Sequence, residues 1–247
     1  LSDKIATYII NLDRSSDRWS AISSQARCVG MHVERVIGVD GREVENEQRV
    51  GFDEKAFIRR NGRILLPGEY GCYKAHIRAL ELFLSSANTS AIIVEDDVDL
   101  DVNIIPRAMA IQKSLPTAEV VKLLSHRSKF FREMVVTEYG DRVGKCLHGP
   151  QGSAACYLVT RVGAARLLAT IQRINFPYDI ALERGWKTGV KIFTVQQNIV
   201  ELSDRSHFSQ IASREEYRAV KVKGLRKIIT HLIRAVEYVR RIRYALS

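Results

Sequence analysis

The sequence is poor in the features that mark several large protein classes. Its 247 residues include only four cysteines, five prolines, three methionines and two tryptophans. Cys28, Cys72, Cys146 and Cys156 form no CxxC pair and no zinc-ligand spacing. A chain this long can build a core without disulfides, so the expectation is reduced thiols in a cytoplasmic protein. The longest stretch free of Asp, Glu, Lys and Arg is residues 146–160, which contains both Gly and Pro. A spanning helix needs about 20 apolar residues, so none is expected. No secretory-signal pattern opens the sequence. Internal repeats, low-complexity linkers, GxGxxG and a Walker lysine are all missing, which removes solenoids and the common phosphate-loop enzymes.

What is present is an ordinary globular composition, 46% apolar and 27% charged. Wholesale disorder and collagen-like fibres are thereby excluded. The net charge is +10, but it is unevenly spread. Residues 221–247 hold eight Lys and Arg against Glu237 alone, a net of +7, which leaves +3 for the first 220. A nearly balanced domain with a basic tail is a poor nucleic-acid binder, and no zinc-finger or RNA-recognition signature supports that role.

The pattern along the chain alternates strand and helix. Residues 5–12 read as a buried first strand, followed by a helix to about 29 that Gly30 stops, and a second strand over 33–39. This order predicts an α/β fold with a mostly parallel central sheet flanked by helices. Residues 45–60 read as a charged surface helix or loop. Pro67-Gly68-Glu69-Tyr70-Gly71 reads as a turn before a helix over 72–84. Further strands are expected at 91–94, 120–124, 134–139, 142–147, 154–159 and 190–195. Further helices are expected at 104–114, 161–174 and 179–184. The economical division is one domain over 1–212 and a basic helical segment over 213–247.

Glu95, Asp96, Asp97, Asp99 and Asp101 crowd five carboxylates into seven residues at the end of a predicted buried strand. In open α/β sheets, ligands bind at the carboxyl ends of strands. Crowded carboxylates resist ionising together unless a cation is near. An oxygen-only ligand set suits Mg²⁺ or Mn²⁺ and could bridge a diphosphate leaving group. The plainer alternative is a solvated acidic turn capping the next helix.

Four segments, in order, resemble glycosyltransferase family 25. They are Tyr8-Ile-Ile-Asn-Leu-Asp-Arg-Ser-x-Asp-Arg-Trp19, Gly68-Glu69-x-Gly71-Cys72-x-x-x-His76, Ile93-Val94-Glu95-Asp96-Asp97, and Ala155-Cys156-Tyr157-Leu158-Val159-Thr160 with Gly163-Ala164. The resemblance implies a GT-A-like (Rossmann-like) fold, a UDP-sugar donor, Mn²⁺ or Mg²⁺, and inversion at the anomeric carbon. It places Glu95-Asp96-Asp97 where GT-A enzymes carry Asp-x-Asp. Asp97 then becomes the metal ligand, with Asp96 beside the donor. Glu95 is longer than the Asp it replaces and is expected to reach toward the ribose.

Other candidates follow the same segments. Asn11, Asp13, Arg14 and Arg18 are expected at the nucleotide, with an Arg facing the diphosphate; the alternative is helix capping and surface exposure. Glu69 and His76 are expected to line the site, and Cys72 to be buried. Gly149-Pro150-Gln151-Gly152-Ser153 reads as a turn approaching sugar, with Gln151 lining it. Inverting transfer needs a carboxylate to take the acceptor proton. Asp179, after the Pro-marked turn, is the first choice and Glu183 the second; the alternative is a helix cap. His207, or Asp204, would complete a metal shell, against a plain surface-loop reading.

In the tail, Leu225, Ile229, Leu232, Val236 and Val239 share one helical stripe, widened by Ile228, Ile233 and Ile242. Arg226, Lys227, Arg234, Arg240 and Arg241 fall mainly opposite. Such a helix either lies in an anionic membrane interface or packs on its own domain. The combined expectation is a peripheral enzyme on the inner face of the cytoplasmic membrane. It would move a hexose, galactose before glucose, from a UDP-sugar to a lipid-linked lipopolysaccharide or lipooligosaccharide core. A metal-dependent nucleotidyltransferase is the nearest rival.

Overall fold

The computed structural model describes residues 5–204, 214–224 and 227–247. In chain order the elements begin with β1 (Ile5–Asn11), α1 (Ser16–Cys28), β2 (Glu34–Ile37), α2 (Glu54–Asn61), α3 (Pro67–Ser85), β3 (Ser90–Glu95) and β4 (Val98–Asp99). They continue with α4 (Ile104–Ser114), β5 (Val120–Lys122), β6 (Phe131–Val136), β7 (Arg142–Cys146), β8 (Cys156–Thr160) and α5 (Arg161–Thr170). The remainder is α6 (Tyr178–Leu182), α7 (Gly185–Thr188), β9 (Ile192–Val195), β10 (Glu201–Leu202), α8 (Arg214–Ala219) and α9 (Lys227–Leu246).

Eight strands form one sheet in the order β2-β1-β3-β8-β5-β9-β7-β6. β1 pairs in parallel with β2 and β3, and β5 with β9, while β8 and β7 run against their neighbours. Following those pairings, every strand except β8 and β7 points the same way. The α/β sandwich expected from the alternation is therefore present, with two reversed strands inserted. Alternation along each strand feeds two cores. Tyr8, Ile10, Ile93, Tyr157 and Val159 join the cluster under α3 and α5. Ile9, Ile92, Val94, Cys156 and Leu158 join the cluster under α4.

Two boundaries differ from the sequence reading in ways that matter for the site. The Pro-Gly segment at 67–71 is the first turn of α3, because Pro at the first helical position sacrifices only an N–H that has no helical partner. Glu69 reaches back to the Leu66 N–H at 3.1 Å and secures that turn. Gly71 and Gly41 then allow α3 to press on the loop after β2. A Cβ at Gly71 would meet the Val39 carbonyl at 2.2 Å, and one at Gly41 the Pro67 carbonyl at 1.8 Å. The strand expected at 134–139 begins three residues earlier, as β6, and pairs with β7 in a hairpin.

The C-terminal helix packs on the domain with its polar side. Thr230, Arg234, Glu237, Arg241 and Tyr244 face inward and bond to Arg59, Asn61, Arg184, Glu183 and Val190 respectively. Glu183 lies at the bottom of this contact. It accepts from Lys122 at 2.8 Å, Arg241 at 2.8 Å and the N–H groups of Gln151 and Gly152. Burial would raise its pKa, but Lys122 and Arg241 hold the carboxyl below its ordinary value. Removing one member of a buried ion cluster strands the others. Glu183→Ala should therefore cost about 3–5 kcal/mol, measured as a fall in the urea midpoint.

Candidate active site

The carboxyl ends of β1, β2 and β3 and the start of β8 meet on one edge of the sheet, and there the acidic run is pinned. The Glu95 N–H donates to the Ala155 carbonyl at 2.8 Å, and the Ser203 N–H to the Asp97 carbonyl at 2.8 Å. The β4–β10 pair closes the turn. Glu95-Asp96-Asp97 is thus fixed in place and is not a solvated loop.

Its three carboxylates have different surroundings. Asp96 is buried and takes bonds from Asn11 Nδ2 at 2.6 Å and Arg18 Nη1 at 3.0 Å. Burial nonetheless raises its pKa. Glu95 meets His76 Nε2 at 3.2 Å and Cys72 Sγ at 4.0 Å. Asp97 has Arg18 at 3.9 Å from one oxygen, and its Oδ1 is buried with no hydrogen-bond partner among the described residues. Burial, followed by the charges of Glu95 and Asp96, pushes its carboxyl up to about 7.

Two cavities meet at this run, sharing Cys72, Glu95 and Asp97. The narrower, about 90 Å³, is a slot between Leu12, Val39 and Ala75, also lined by Gly38, Gly41 and Gly71. The start of the 19-residue α3 opens on it through Gly68, so the helix dipole favours an anion there. Arg14, ion-paired to Asp40, and Arg18 line its mouth. The wider cleft, about 480 Å³, is lined by Glu69, His126, Ser153, Tyr178, Asp179 and Tyr217, among others.

Asp179 lies in the first turn of α6, whose N-cap is Pro177, so it is not the cap residue. Burial, then Glu183 nearby, pushes its carboxyl up to about 6. Glu69 is ion-paired to Arg63 and receives the Tyr217 hydroxyl at 3.4 Å. His76 is fully buried, stacked on Tyr178 at 4.1 Å and bonded to the Tyr157 hydroxyl at 3.3 Å.

Several expected residues stand elsewhere. Asn11 lines neither cavity; it clamps Asp96 and accepts from Arg35 Nη2 at 2.6 Å. Asp13 is exposed and pairs with Arg35 at 3.3 Å. Gln151 points into the interior toward the Ser125 hydroxyl at 3.3 Å, because its own N–H is committed to Glu183. The glycine-turn residue that reaches the cleft is Ser153. Glu183 is saturated by cations and cannot serve as the second-choice base. Asp204 is exposed and lines neither cavity, while His207 lies outside the described residues. His126, Arg63 and Tyr217 line the cleft without any sequence signal, since each sits in a region with no matching motif.

Two donor sets could hold a metal. Asp97, with its orphaned buried oxygen, and Glu95 offer oxygen ligands suited to Mg²⁺ or Mn²⁺. Cys72, His76 and Glu95 have ligand atoms within 4.8 Å of one another, a softer set that favours Zn²⁺. The first set fits better, because a cation there would offset the desolvation and repulsion that now disfavour the Asp97 carboxylate.

Residues 4–182 match the model of glycosyltransferase family 25 (LPS biosynthesis protein). None of the curated proteins gives a significant match. Among solved structures the chain is similar to a glycosyltransferase involved in the glycosylation of the major capsid of PBCV-1. The likeness is distant, at 10% identity and a TM-score of 0.37, covering 77% of this chain and 80% of that one.

The site's charge balance has a measurable consequence in metal-free buffer. The ordinary carboxylate value is 3.8 and the folded value of Asp97 is about 7. The native state therefore binds the extra proton between these values, and that contribution is lost as pH rises through 7. Asp97→Asn should flatten the loss, leaving the variant more stable than wild type at pH 8 by on the order of 1 kcal/mol. Asp96→Ala should destabilise by about 1–3 kcal/mol, because Asn11 and Arg18 lose their partner; urea melts at pH 5 and 8 measure both.

Proposed function

The chain belongs to glycosyltransferase family 25 and is a glycosyltransferase; from that premise we propose an inverting, UDP-sugar-dependent hexosyl transfer to a lipid-linked lipopolysaccharide or lipooligosaccharide core. The observation that carries this reading is the meeting of two cavities at Glu95 and Asp97, with Asp179 in the wider one. The slot between Leu12, Val39 and Ala75 takes the uracil, and Arg14, Arg18 and the start of α3 face the diphosphate. The sugar then lies over the shared wall, and the acceptor enters from the wider cleft.

In that pose the acceptor hydroxyl attacks the anomeric carbon as the bond to UDP breaks. Asp179 takes the hydroxyl proton, and a pKa near 6 suits a base that is mostly ionised at neutral pH. Asp97 with Glu95 would hold Mn²⁺ or Mg²⁺, whose charge would stabilise the departing diphosphate. Asp96 keeps the end of β3 tied to β1 and α1 through Asn11 and Arg18. Galactose is the first expectation for the sugar.

The basic tail supports a place for the reaction. Among the described residues no helix is long and apolar enough to cross a membrane. The outward side of α9 is nevertheless apolar: Ile229, Leu232, Val236 and Val239 are about half exposed or more. Exposed Lys227, Arg240 and Arg243 flank that stripe. An apolar strip edged by cations complements an anionic lipid interface, so segment 213–247 serves as a peripheral anchor at the inner face of the cytoplasmic membrane.

Four outcomes test these points. A donor screen should find UDP-hexose hydrolysis with release of UDP, abolished in Asp97→Asn. Asp179→Asn should lower kcat by about 10²–10⁴-fold with the donor KM nearly unchanged. The wild-type rate should fall below an apparent pKa of about 6, as the base protonates. Leu232→Glu with Val236→Glu should weaken binding to phosphatidylglycerol vesicles at least tenfold in a flotation assay; unchanged binding refutes the anchor.

A further inference from the structure

Ile180 lines the acceptor cleft on one side and a second cavity, of about 550 Å³, on the other. This second cavity lies between the end of α2, the Gly149-Pro150 turn, α6, α7 and the inner side of α9. Its walls carry Arg60, Arg184, Arg234 and Arg241 around Phe176 and Trp186.

Only part of that positive charge is answered. Arg184 is held by Glu237 at 2.7 and 3.1 Å, and Arg241 by Glu183 at 2.8 Å. Arg234 donates to the Asn61 carbonyl, and the Arg60 guanidinium lies 5.3 Å from the Phe176 ring centre. Among the described residues neither Arg60 nor Arg234 meets a carboxylate. Burial, and then Arg184 beside it, lowers the pKa of Arg60, so the cations work against one another. Trp186, whose Nε1 is buried without an acceptor among the described residues, lines this cavity and also the smaller one beside Lys145 and Tyr244. Arg60 and Arg234 thus bring guanidinium N–H groups and positive charge to the cavity with no carboxylate paired to them among the described residues. An oxyanion supplies acceptors and negative charge together. The Phe176 ring is flanked by the Arg184 and Arg60 guanidiniums, at 4.3 and 5.3 Å, and the Trp186 ring by Arg241 at 5.1 Å, which holds these cations at the cavity wall.

We propose that this cavity binds a phosphate or carboxylate group on the acceptor, gripping it through Arg60 and Arg234 while a hydroxyl of the same molecule reaches Asp179. The inference rests on the wider cleft being the acceptor site. Consecutive residues of α6 make the connection, since Asp179 lines the cleft and Ile180 lines both spaces. The site selects anionic acceptors over neutral ones, and because α9 forms one wall, the grip lies next to the apolar stripe assigned to the membrane.

Trp186 also provides the readout, as Trp19 is the only other tryptophan. In the full chain carrying Trp19→Phe, glucose 6-phosphate should change Trp186 emission saturably. Glucose should not, and added salt should weaken the effect. Arg60→Ala with Arg234→Ala should weaken glucose 6-phosphate binding at least tenfold while UDP-hexose hydrolysis stays unchanged. If the double variant does not fold, Arg60→Gln alone should still weaken binding threefold or more. Displacement of the sugar phosphate by phosphatidylglycerol vesicles, but not phosphatidylcholine vesicles, assigns the anion to a lipid headgroup; no displacement assigns it to the saccharide. Equal responses to glucose and glucose 6-phosphate, or unaltered binding in the arginine variants, overturn the proposal. With UDP-hexose hydrolysis intact, such a failure would leave the transferase reading standing.

Discussion

Three carboxylates in a row at the end of a buried strand cannot all be ionised there without partners, and this constraint organises the site around it. The fold answers it one residue at a time. Asp96 is neutralised by Asn11 from β1 and Arg18 from α1, which ties the first strand–helix unit to β3. Glu95 is turned toward His76 on α3. Asp97 is left with one oxygen buried and unanswered among the described residues, at the wall where the two cavities meet. Burial, and then the charges of Glu95 and Asp96, raise its pKa, and in the reading proposed above a cation beside the diphosphate would relieve both.

A second buried charge performs the equivalent task beside the wider cleft. Glu183 gathers Lys122 from β5, Arg241 from α9 and the N–H groups of Gln151 and Gly152. It thereby fixes the turn that carries Ser153 into the cleft and anchors the terminal helix. The helix docks by ion pairs and hydrogen bonds, so its apolar residues are left outward. This reverses the usual arrangement of an amphipathic helix on a globular domain, where the apolar stripe is covered. A surface of that kind is retained when something outside the domain covers it.

The alternation of apolar runs with capped helical segments determined the α/β class, because each run's length and flanking turns suit only one element type. The crowding of Glu95, Asp96 and Asp97 at a strand end was equally legible, as were the ordered motifs that bring Gly71, His76 and the acidic run together. Local chemistry carries those signals. What the sequence could not supply was the division of labour. Asn11 and Asp96 read as two donor contacts; the fold bonds them to each other across 85 positions, with Asp96 alone lining the slot. Glu183 and Asp179 read as rival bases four residues apart, but only tertiary contacts from β5 and α9 saturate one and leave the other facing the cleft. The tail's periodicity gave an amphipathic helix but not which side faces the domain, since that depends on the polar partners waiting on α2, α6 and α7. Periodicity and spacing are properties of neighbours in the chain; whether a charge is answered or left for a ligand depends on groups that only the folded sheet brings within reach.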